Sequence, residues 1–178
     1  MISRRGEIVH EQQFWFQDRE AVIPMAADTI FRIYSMTKPV VSTALMLLHE
    51  EGAFQLEHPV AQYLPAFGAT KVLTEDGALV DQARPKQIRD LLSHTSGLTY
   101  DFMADTPVAQ MYRDARIMND AARPLDALID ELATLPLAFQ PGTRWHYSVG
   151  IDVADRMIEV LSGQSLAAFL NDRLFDPL

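Results

Sequence analysis

The sequence predicts a mixed α/β (α+β) domain with a short β segment at its N-terminus and helices over most of the remainder. Residues 7–17 are rich in β-branched and aromatic side chains, which favour strands. Apolar residues recur at helical spacing in several later segments. Because 178 residues, 48% of them apolar, can bury one core, we expect a single domain over residues 1–178.

Charge and residue counts exclude several classes of function. The formal net charge is −9 and the basic residues do not cluster, so we expect neither a nucleic-acid partner nor binding to an anionic membrane surface. The chain has no cysteine, which excludes disulfides, thiol nucleophiles and Cys-based zinc sites. No apolar run reaches the length of a bilayer and no secretory signal is recognisable, so the expected location is cytoplasmic.

The first long helix is predicted from Ser35 to Glu51. Its apolar positions cover most of a helix surface, and Gly52 follows as a C-terminal stop. We therefore expect a helix that is buried on most sides. Pro59 and Pro65 interrupt the next segment, which is predicted to be irregular chain.

The rest of the chain is predicted to be mostly helical, with a helical subdomain over about residues 55–160. Residues 71–84 are polar and turn-rich, and they predict a small hairpin or a loop. Amphipathic periodicity then predicts helices in four segments, namely 86–94, 123–135, 151–163 and 165–178.

The segment Ser35-Met36-Thr37-Lys38 carries the first candidate catalytic residues. Residues three apart on a helix share a face, so Ser35 Oγ and Lys38 Nζ can approach each other. Pro39 is tolerated only in a first turn, so the helix should begin close to Ser35 and place the hydroxyl at the positive end of the helix dipole. The backbone N–H of Ser35 could there donate to an oxyanion. Because apolar neighbours disfavour an ammonium, we expect Lys38 to be a neutral amine that activates Ser35.

Ser-x-x-Lys is short enough to arise by chance, but its flanks add specificity. The blocks TIFRIYSMTKPV, EHPVAQYLP, LLSHTSGL and FQPGTRWHYSVGIDV occur in this order over nearly the whole chain. Together they resemble the serine β-lactamase-like hydrolases, in particular the class C β-lactamase branch and the family VIII carboxylesterases. The resemblance implies a β-lactamase/transpeptidase-like fold, an acyl-enzyme on Ser35 and no cofactor or metal.

The resemblance also implies a general base. In that family a tyrosine placed after a Pro-Gly turn hydrogen-bonds the serine and the lysine and transfers the proton; the matching position is Tyr147 in WHYSV. A phenol beside a cationic lysine gives up its proton more readily, so Tyr147 could take the proton of Ser35 and return it to the leaving group. Trp145 and His146 flank Tyr147 and are candidates for lining the substrate pocket.

Val149 departs from the family pattern, since the lactamases carry asparagine at this position. An isopropyl group cannot hydrogen-bond a substrate amide, and this favours short-chain acyl esters over lactams. The expected partner is a small-molecule ester or lactam. Two alternatives stay open: a β-lactamase or D-amino-acid peptidase, and a catalytically inactive module with a binding or interaction role.

Other titratable residues are expected to be structural. The resemblance implies that His94 in LLSHTSGL belongs to a turn near the site and takes no direct part in catalysis. The spacing of Asp152, Asp155 and Glu159 predicts a solvated helix face.

Proteins of the resembling family continue past the block LFDPL. They carry there a Lys-Thr-Gly or His/Trp-x-Gly motif on a strand that also supplies a second oxyanion donor, and these 178 residues contain neither motif nor strand. We therefore expect the N-terminal portion of such an enzyme, with the C-terminal sheet strands missing. The isolated chain is expected to have little activity and to self-associate through an uncovered sheet edge.

Overall fold

The computed structural model describes residues 1–103, 105–118 and 122–178. It divides into two compact units, Met1–Ser35 and Met36–Leu178, which are described separately. Within the described ranges, no helix has both the length and the apolar character that crossing a bilayer requires.

The first unit consists of two antiparallel hairpins. Its strands are β1 (Ile2–Arg4) paired with β2 (Glu7–His10), and β3 (Phe16–Asp18) paired with β4 (Ile23–Pro24). The strand predicted over residues 7–17 is thus divided between two hairpins. Trp15 adopts φ +74°, which ends the extended run before β3 begins. The strand residues of this unit are exposed.

The second unit is mostly helical, as the periodicity predicts. Its helices are α1 (Thr37–Glu50), α2 (Ile88–Leu92), α3 (Pro107–Asp114), α4 (Leu125–Thr134), α5 (Gly150–Ser162) and α6 (Leu166–Leu170). One antiparallel hairpin joins β5 (Val72–Leu73) to β6 (Leu79–Val80), within the segment predicted as a hairpin or loop. Short 3₁₀ turns occupy Tyr34–Met36, Val60–Gln62 and Pro65–Ala69, and a π-helical turn occupies Asn171–Phe175.

Helix α1 begins at Thr37, directly after the 3₁₀ turn, and Pro39 is its third residue. A proline costs nothing there because the first backbone N–H groups of a helix have no intrahelical acceptor. The expectation of burial on most sides is wrong: one stripe is buried, and residues such as Thr37 and Pro39 are exposed. The buried stripe consists of Val41, Ala44, Leu45 and Leu48.

Helix α5 is the centre of the core. It packs against α1, α2, α4 and α6, and its most buried side chains are those of Val153, Ala154, Met157 and Ile158. Each large apolar side chain that is buried in this way contributes about 1.5–3 kcal/mol to stability.

The sequence analysis did not predict α3. Its start nevertheless carries a recognisable signal: Pro107 is the first helical residue, and Thr106 Oγ1 accepts a hydrogen bond from the backbone N–H of Ala109 at 3.2 Å. Helix α3 buries Val108 and Tyr112, so an N-cap followed by two core residues marks a helix that is only eight residues long.

The loop after α2 depends on Gly97. This residue has φ +85°, and an added Cβ would lie 2.4 Å from the carbonyl oxygen of Phe139. The carbonyl of Gly97 accepts a hydrogen bond from the N–H of Ala138 at 2.8 Å. Glycine is therefore required for this loop to approach the segment around residue 138 so closely.

We expect Gly97→Ala to lower the free energy of unfolding by about 3 kcal/mol, because both the positive φ and the clash with backbone oppose a side chain. Gly77→Ala is the matched control: Gly77 also has φ +85°, but nothing lies within 4 Å of an added Cβ. Its expected cost is about 1 kcal/mol. Urea unfolding followed by circular dichroism measures the free energy of unfolding of both variants. An equal loss in the two would show that the close approach of Gly97 to Phe139 is wrong.

Candidate active site

The site is built around the side chain of Lys38, the second residue of α1. Lys38 Nζ donates a hydrogen bond to Tyr100 OH at 2.9 Å and another to Tyr147. Nζ lies 5.4 Å from the ring centroid of Tyr100 and 5.1 Å from that of Tyr147, within the range of cation–π attraction. Residues from three separate parts of the sequence therefore meet at one ammonium.

The environment of Lys38 favours its charged form. Burial by itself lowers the pKa of the ammonium, but hydrogen bonds and Coulombic attraction from Tyr100 and Tyr147 outweigh this and raise the pKa above its ordinary value. Lys38 is therefore protonated at neutral pH. The expectation of a neutral amine is wrong, because it counted apolar enclosure and did not include two phenol oxygens beside the amine.

Tyr147 is held in place by His94. The two rings lie 4.8 Å apart between centroids, and the Tyr147 ring also lies 5.3 Å from that of Tyr100. The backbone N–H of His146 donates to the carbonyl of His94 at 2.8 Å, and that of Ser148 donates to His94 Nδ1 at 3.3 Å. His94 thus binds the residues on both sides of Tyr147 and fixes the position of the phenol.

His94 itself is neutral at neutral pH. Burial, followed by the positive charge of Lys38 and by His146, lowers the pKa of its imidazole. Because Nδ1 accepts a hydrogen bond, the ring proton of the neutral form lies on Nε2. The backbone of His94 has φ +56°, as expected for a residue in a tight turn. These contacts are positional, and the absence of a direct catalytic role stays a prediction.

Two partly buried carboxylates of α5 interact with Lys38. Burial raises the pKa of Asp152, and attraction to Lys38 opposes the shift. Burial, followed by repulsion from Asp152, raises the pKa of Asp155 to about 8, with Lys38 again opposing and Glu159 adding. Asp155 Oδ1 is buried and has no hydrogen-bond partner among the described residues.

The prediction that Asp152, Asp155 and Glu159 form a solvated face is wrong. All three are partly buried, because α5 is covered by neighbouring helices on several sides and not on one. An amphipathic pattern identifies the apolar stripe of a helix, but it does not show how many neighbours cover the flanks of that stripe.

Tyr100 is the functional candidate that sequence reasoning missed. It is 4% exposed, and its ring stacks on that of Phe102 at 4.8 Å. Burial raises the pKa of the Tyr100 phenol, although the hydrogen bond from Lys38 opposes the shift. Tyr100 lies in a loop with no periodicity or motif to mark it, so only the contact with Lys38 identifies it.

Ser35 is the last residue of the first unit and lies exposed in the 3₁₀ turn that precedes α1.

Trp145 and His146 line a cavity of about 500 Å³ together with Thr99 and Arg144. His146 Nε2 and Thr99 Oγ1 are hydrogen-bonded at 2.8 Å, whereas Trp145 is 65% exposed.

Val149 is a core residue in this structure. Its side chain is 1% exposed and belongs to the core. Its backbone N–H donates to the carbonyl of Thr99 at 3.3 Å, directly before α5. The structure thus gives Val149 a packing role, and its contact with a substrate stays a prediction.

The motif pattern and the fold match known proteins. The family description Beta-lactamase matches residues 1–178. The chain belongs to the beta-lactamase family. Among curated relatives of this beta-lactamase-family chain, the esterase EstB of Burkholderia gladioli is 36% identical over 183 residues, covering 100% of the chain and 44% of EstB. Lovastatin esterase of Penicillium rubens is 34% identical over 160 residues, covering 87% and 39%.

A solved structure supports the same assignment. EstCE1, described as a hydrolase with promiscuous acyltransferase activity, superposes with a TM-score of 0.83 at 30% identity, covering 98% of this chain and 44% of that one. The predicted resemblance and the partial β-lactamase/transpeptidase-like fold are confirmed. This beta-lactamase-family chain spans less than half the length of these relatives, over their N-terminal portion.

The buried acid of α5 predicts a pH effect on stability. The folded state holds the Asp155 proton up to a pKa of about 8, whereas an unfolded aspartate releases it near pH 4. Stability therefore falls as pH rises between these values, since the folded state binds more protons there. We expect Asp155→Asn to raise the free energy of unfolding by roughly 1–3 kcal/mol at pH 9 and to have little effect at pH 4.

Urea unfolding at several pH values measures this effect. Asp130→Asn is the matched control, because Asp130 is an exposed carboxylate on α4. The burial of the Asp155 carboxylate would be refuted if both substitutions changed the pH profile of stability equally.

Proposed function

We propose that this chain carries the nucleophile and the proton-transfer groups of a serine hydrolase that cleaves small, short-chain acyl esters through an acyl-enzyme. The observation that carries the proposal is the contact of the Lys38 ammonium with Tyr100 and Tyr147. Lys38 stands three positions after Ser35 in the sequence. Membership of the beta-lactamase family and the esterase names of two relatives support it.

Ser35 is the proposed nucleophile. Its Oγ attacks the acyl carbon of the ester, the alcohol leaves, and water later hydrolyses the acyl-serine to release the acid. Tyr147 and Lys38 together are the proposed base: having lost one proton as a pair, they accept the proton of Ser35 and pass it to the leaving alcohol. For deacylation the same pair takes a proton from water and returns it to Ser35 Oγ as the acyl–oxygen bond breaks, so the proton balance closes over one cycle.

Within this pair, Tyr147 is the proposed acceptor and Lys38 the compensating charge. Lys38 is the charged partner, because hydrogen bonds and Coulombic attraction from its phenol neighbours outweigh burial and raise its pKa. Lys38 then stabilises negative charge on the phenol oxygen as it develops. Tyr100 is a proposed positioning residue, since its hydroxyl accepts the hydrogen bond that fixes Lys38 Nζ.

The substrate pocket is proposed to include Trp145 and His146. They border a cavity of about 500 Å³, within the usual range for small ligands, and they directly precede Tyr147 in the chain. Burial, together with Arg144, lowers the pKa of His146, so its imidazole is neutral at neutral pH. The lining combines indole, imidazole and threonine side chains with the charged Glu75 and Arg144, and its volume suits a small ester.

We expect Ser35→Ala to lower kcat/KM for p-nitrophenyl butyrate by about 10³-fold or more, and Tyr147→Phe by about 10²- to 10⁴-fold, because these substitutions remove the nucleophile and the proton carrier. Tyr63→Phe is the matched control. Its hydroxyl binds His58 Nδ1 at 2.7 Å, so it removes a phenol oxygen from another part of the fold. Its expected effect is less than about twofold.

The measurements use the protein at its natural full length, with a fluorophosphonate probe to label the nucleophile. Labelling should occur on Ser35 and be slowed in Tyr147→Phe. A probe that labels another serine, or full activity in Ser35→Ala, would remove the proposed mechanism.

The residue at position 149 predicts a preference for esters over lactams. We expect kcat/KM for p-nitrophenyl butyrate to exceed that for nitrocefin by about tenfold or more, because Val149 cannot hydrogen-bond a lactam amide where an asparagine would. Steady-state hydrolysis of both substrates by one preparation makes the comparison. A preference for nitrocefin would favour the lactamase or peptidase alternative over the esterase.

A further inference from the structure

A buried lysine, Lys86, takes no part in the proposed reaction. Lys86 is only 3% exposed, and its Nζ is buried without a hydrogen-bond partner in the described part of the chain. An ammonium in this position costs several kcal/mol unless a negative group compensates it.

The backbone holds Lys86 rigidly. Its N–H donates to Gln82 Oε1 at 3.1 Å, and its carbonyl accepts from the N–H of Val60 at 2.8 Å. The Nζ then lies 4.1 Å from the ring centroid of Phe67, where cation–π attraction supplies part of the lost hydration. The amine therefore stays inside the fold instead of extending to solvent.

The nearby carboxylate of Asp90 is fully engaged elsewhere. Its two oxygens accept hydrogen bonds from both Nη atoms of Arg84 at 2.7 and 2.8 Å. They also accept from the backbone N–H of Gln87 at 2.8 Å and from Thr95 Oγ1 at 3.1 Å. Asp90 thus neutralises Arg84, and Lys86 is a second cation beside this carboxylate.

A second carboxylate borders the region but is also paired. Asp81 is exposed and forms a salt bridge with Lys71 at 2.5 Å. Burial accordingly lowers the pKa of Lys86 to about 7, and attraction to Asp90 opposes the shift only in part. A negative group supplied from outside the chain would restore the charged form.

Lys86 lines a pocket of about 380 Å³, called here the Lys86 pocket, whose walls also include Pro59, Val60, Phe67, Thr70 and Gln82. The other buried polar groups of these walls are satisfied: Thr70 Oγ1 donates to the carbonyl of Ala133 at 3.2 Å, and Gln82 Nε2 donates to that of Thr70 at 2.8 Å. Among the described lining residues, only Lys86 has a buried side-chain polar atom without a partner.

We propose that the Lys86 pocket binds a small monocarboxylate with an apolar body, whose carboxylate pairs with Lys86 Nζ while its body contacts Phe67 and Pro59. One cation matches one negative charge, and the closeness of Asp90 and Asp81 disfavours a dianion such as phosphate. The volume lies at the lower end of the range for small-molecule pockets, which suits a ligand the size of benzoate. This site is independent of the proposed hydrolysis.

Lysine side-chain NMR tests the proposal directly. The chain has three lysines, Lys38, Lys71 and Lys86, and protein grown with ¹³C,¹⁵N-lysine gives a side-chain signal for each of them. We expect benzoate to shift the Lys86 signal in a saturable manner, with the other two as internal references. Benzamide has nearly the same shape without the charge, and inorganic phosphate has charge without the apolar body; both should bind about tenfold more weakly or worse.

Calorimetric titration of variants completes the test. Lys86→Met should weaken benzoate binding by about tenfold or more, whereas Lys71→Met, which removes an exposed lysine of the same region, should change it by less than about twofold. If Lys86→Met does not fold, the wild-type lysine signals decide. The proposal is overturned if benzamide binds as tightly as benzoate, if Lys86→Met retains the affinity, or if benzoate leaves the Lys86 signal unmoved because this lysine is only packed on Phe67.

Discussion

The positive charge of Lys38 is the constraint on which the candidate site depends. The Lys38 ammonium lies in the first turn of α1. It contacts Tyr100 and Tyr147, which come from two loops that are distant in sequence. Its hydrogen bonds raise its pKa, and its field lowers that of His94 and opposes the burial shift of Asp152. The charge of Lys38 thus contributes to the pKa values of His94 and Asp152, although burial is the larger cause at both.

Two lysines of this fold show that burial and hydrogen bonding together decide the protonation of an amine. Lys38 is partly buried and has phenol oxygens as acceptors, so its charged form is favoured. Lys86 is almost fully buried and lies over the ring of Phe67, without a hydrogen-bond acceptor among the described residues, and burial lowers its pKa to about 7. Desolvation is larger at Lys86, and only Lys38 has hydrogen bonds that offset it, so both causes separate the two pKa values. The first environment suits proton transfer, and the second suits an external anion.

Helix α5 connects packing with chemistry. Its apolar stripe joins α1, α2 and α4 in one core, and the close packing that follows also encloses Asp152 and Asp155 beside Lys38. Enclosure keeps Asp155 protonated at neutral pH, so the cluster carries less negative charge than its composition suggests. Partial burial of these two acids lowers the free energy of unfolding, and the apolar packing around α5 offsets that loss.

The sequence by itself determined the positions of most helices, the start of α1 near Pro39 and the residues Lys38 and Tyr147 that the structure brings together. Hydrophobic period, proline position and a family motif are local properties, and they are readable without coordinates. Only the tertiary structure decided that Tyr100 joins them, that Lys38 stays charged, that Asp155 is partly buried and that Lys86 is buried. Those outcomes depend on which side chains from distant segments exclude water at one point, and no local pattern encodes that.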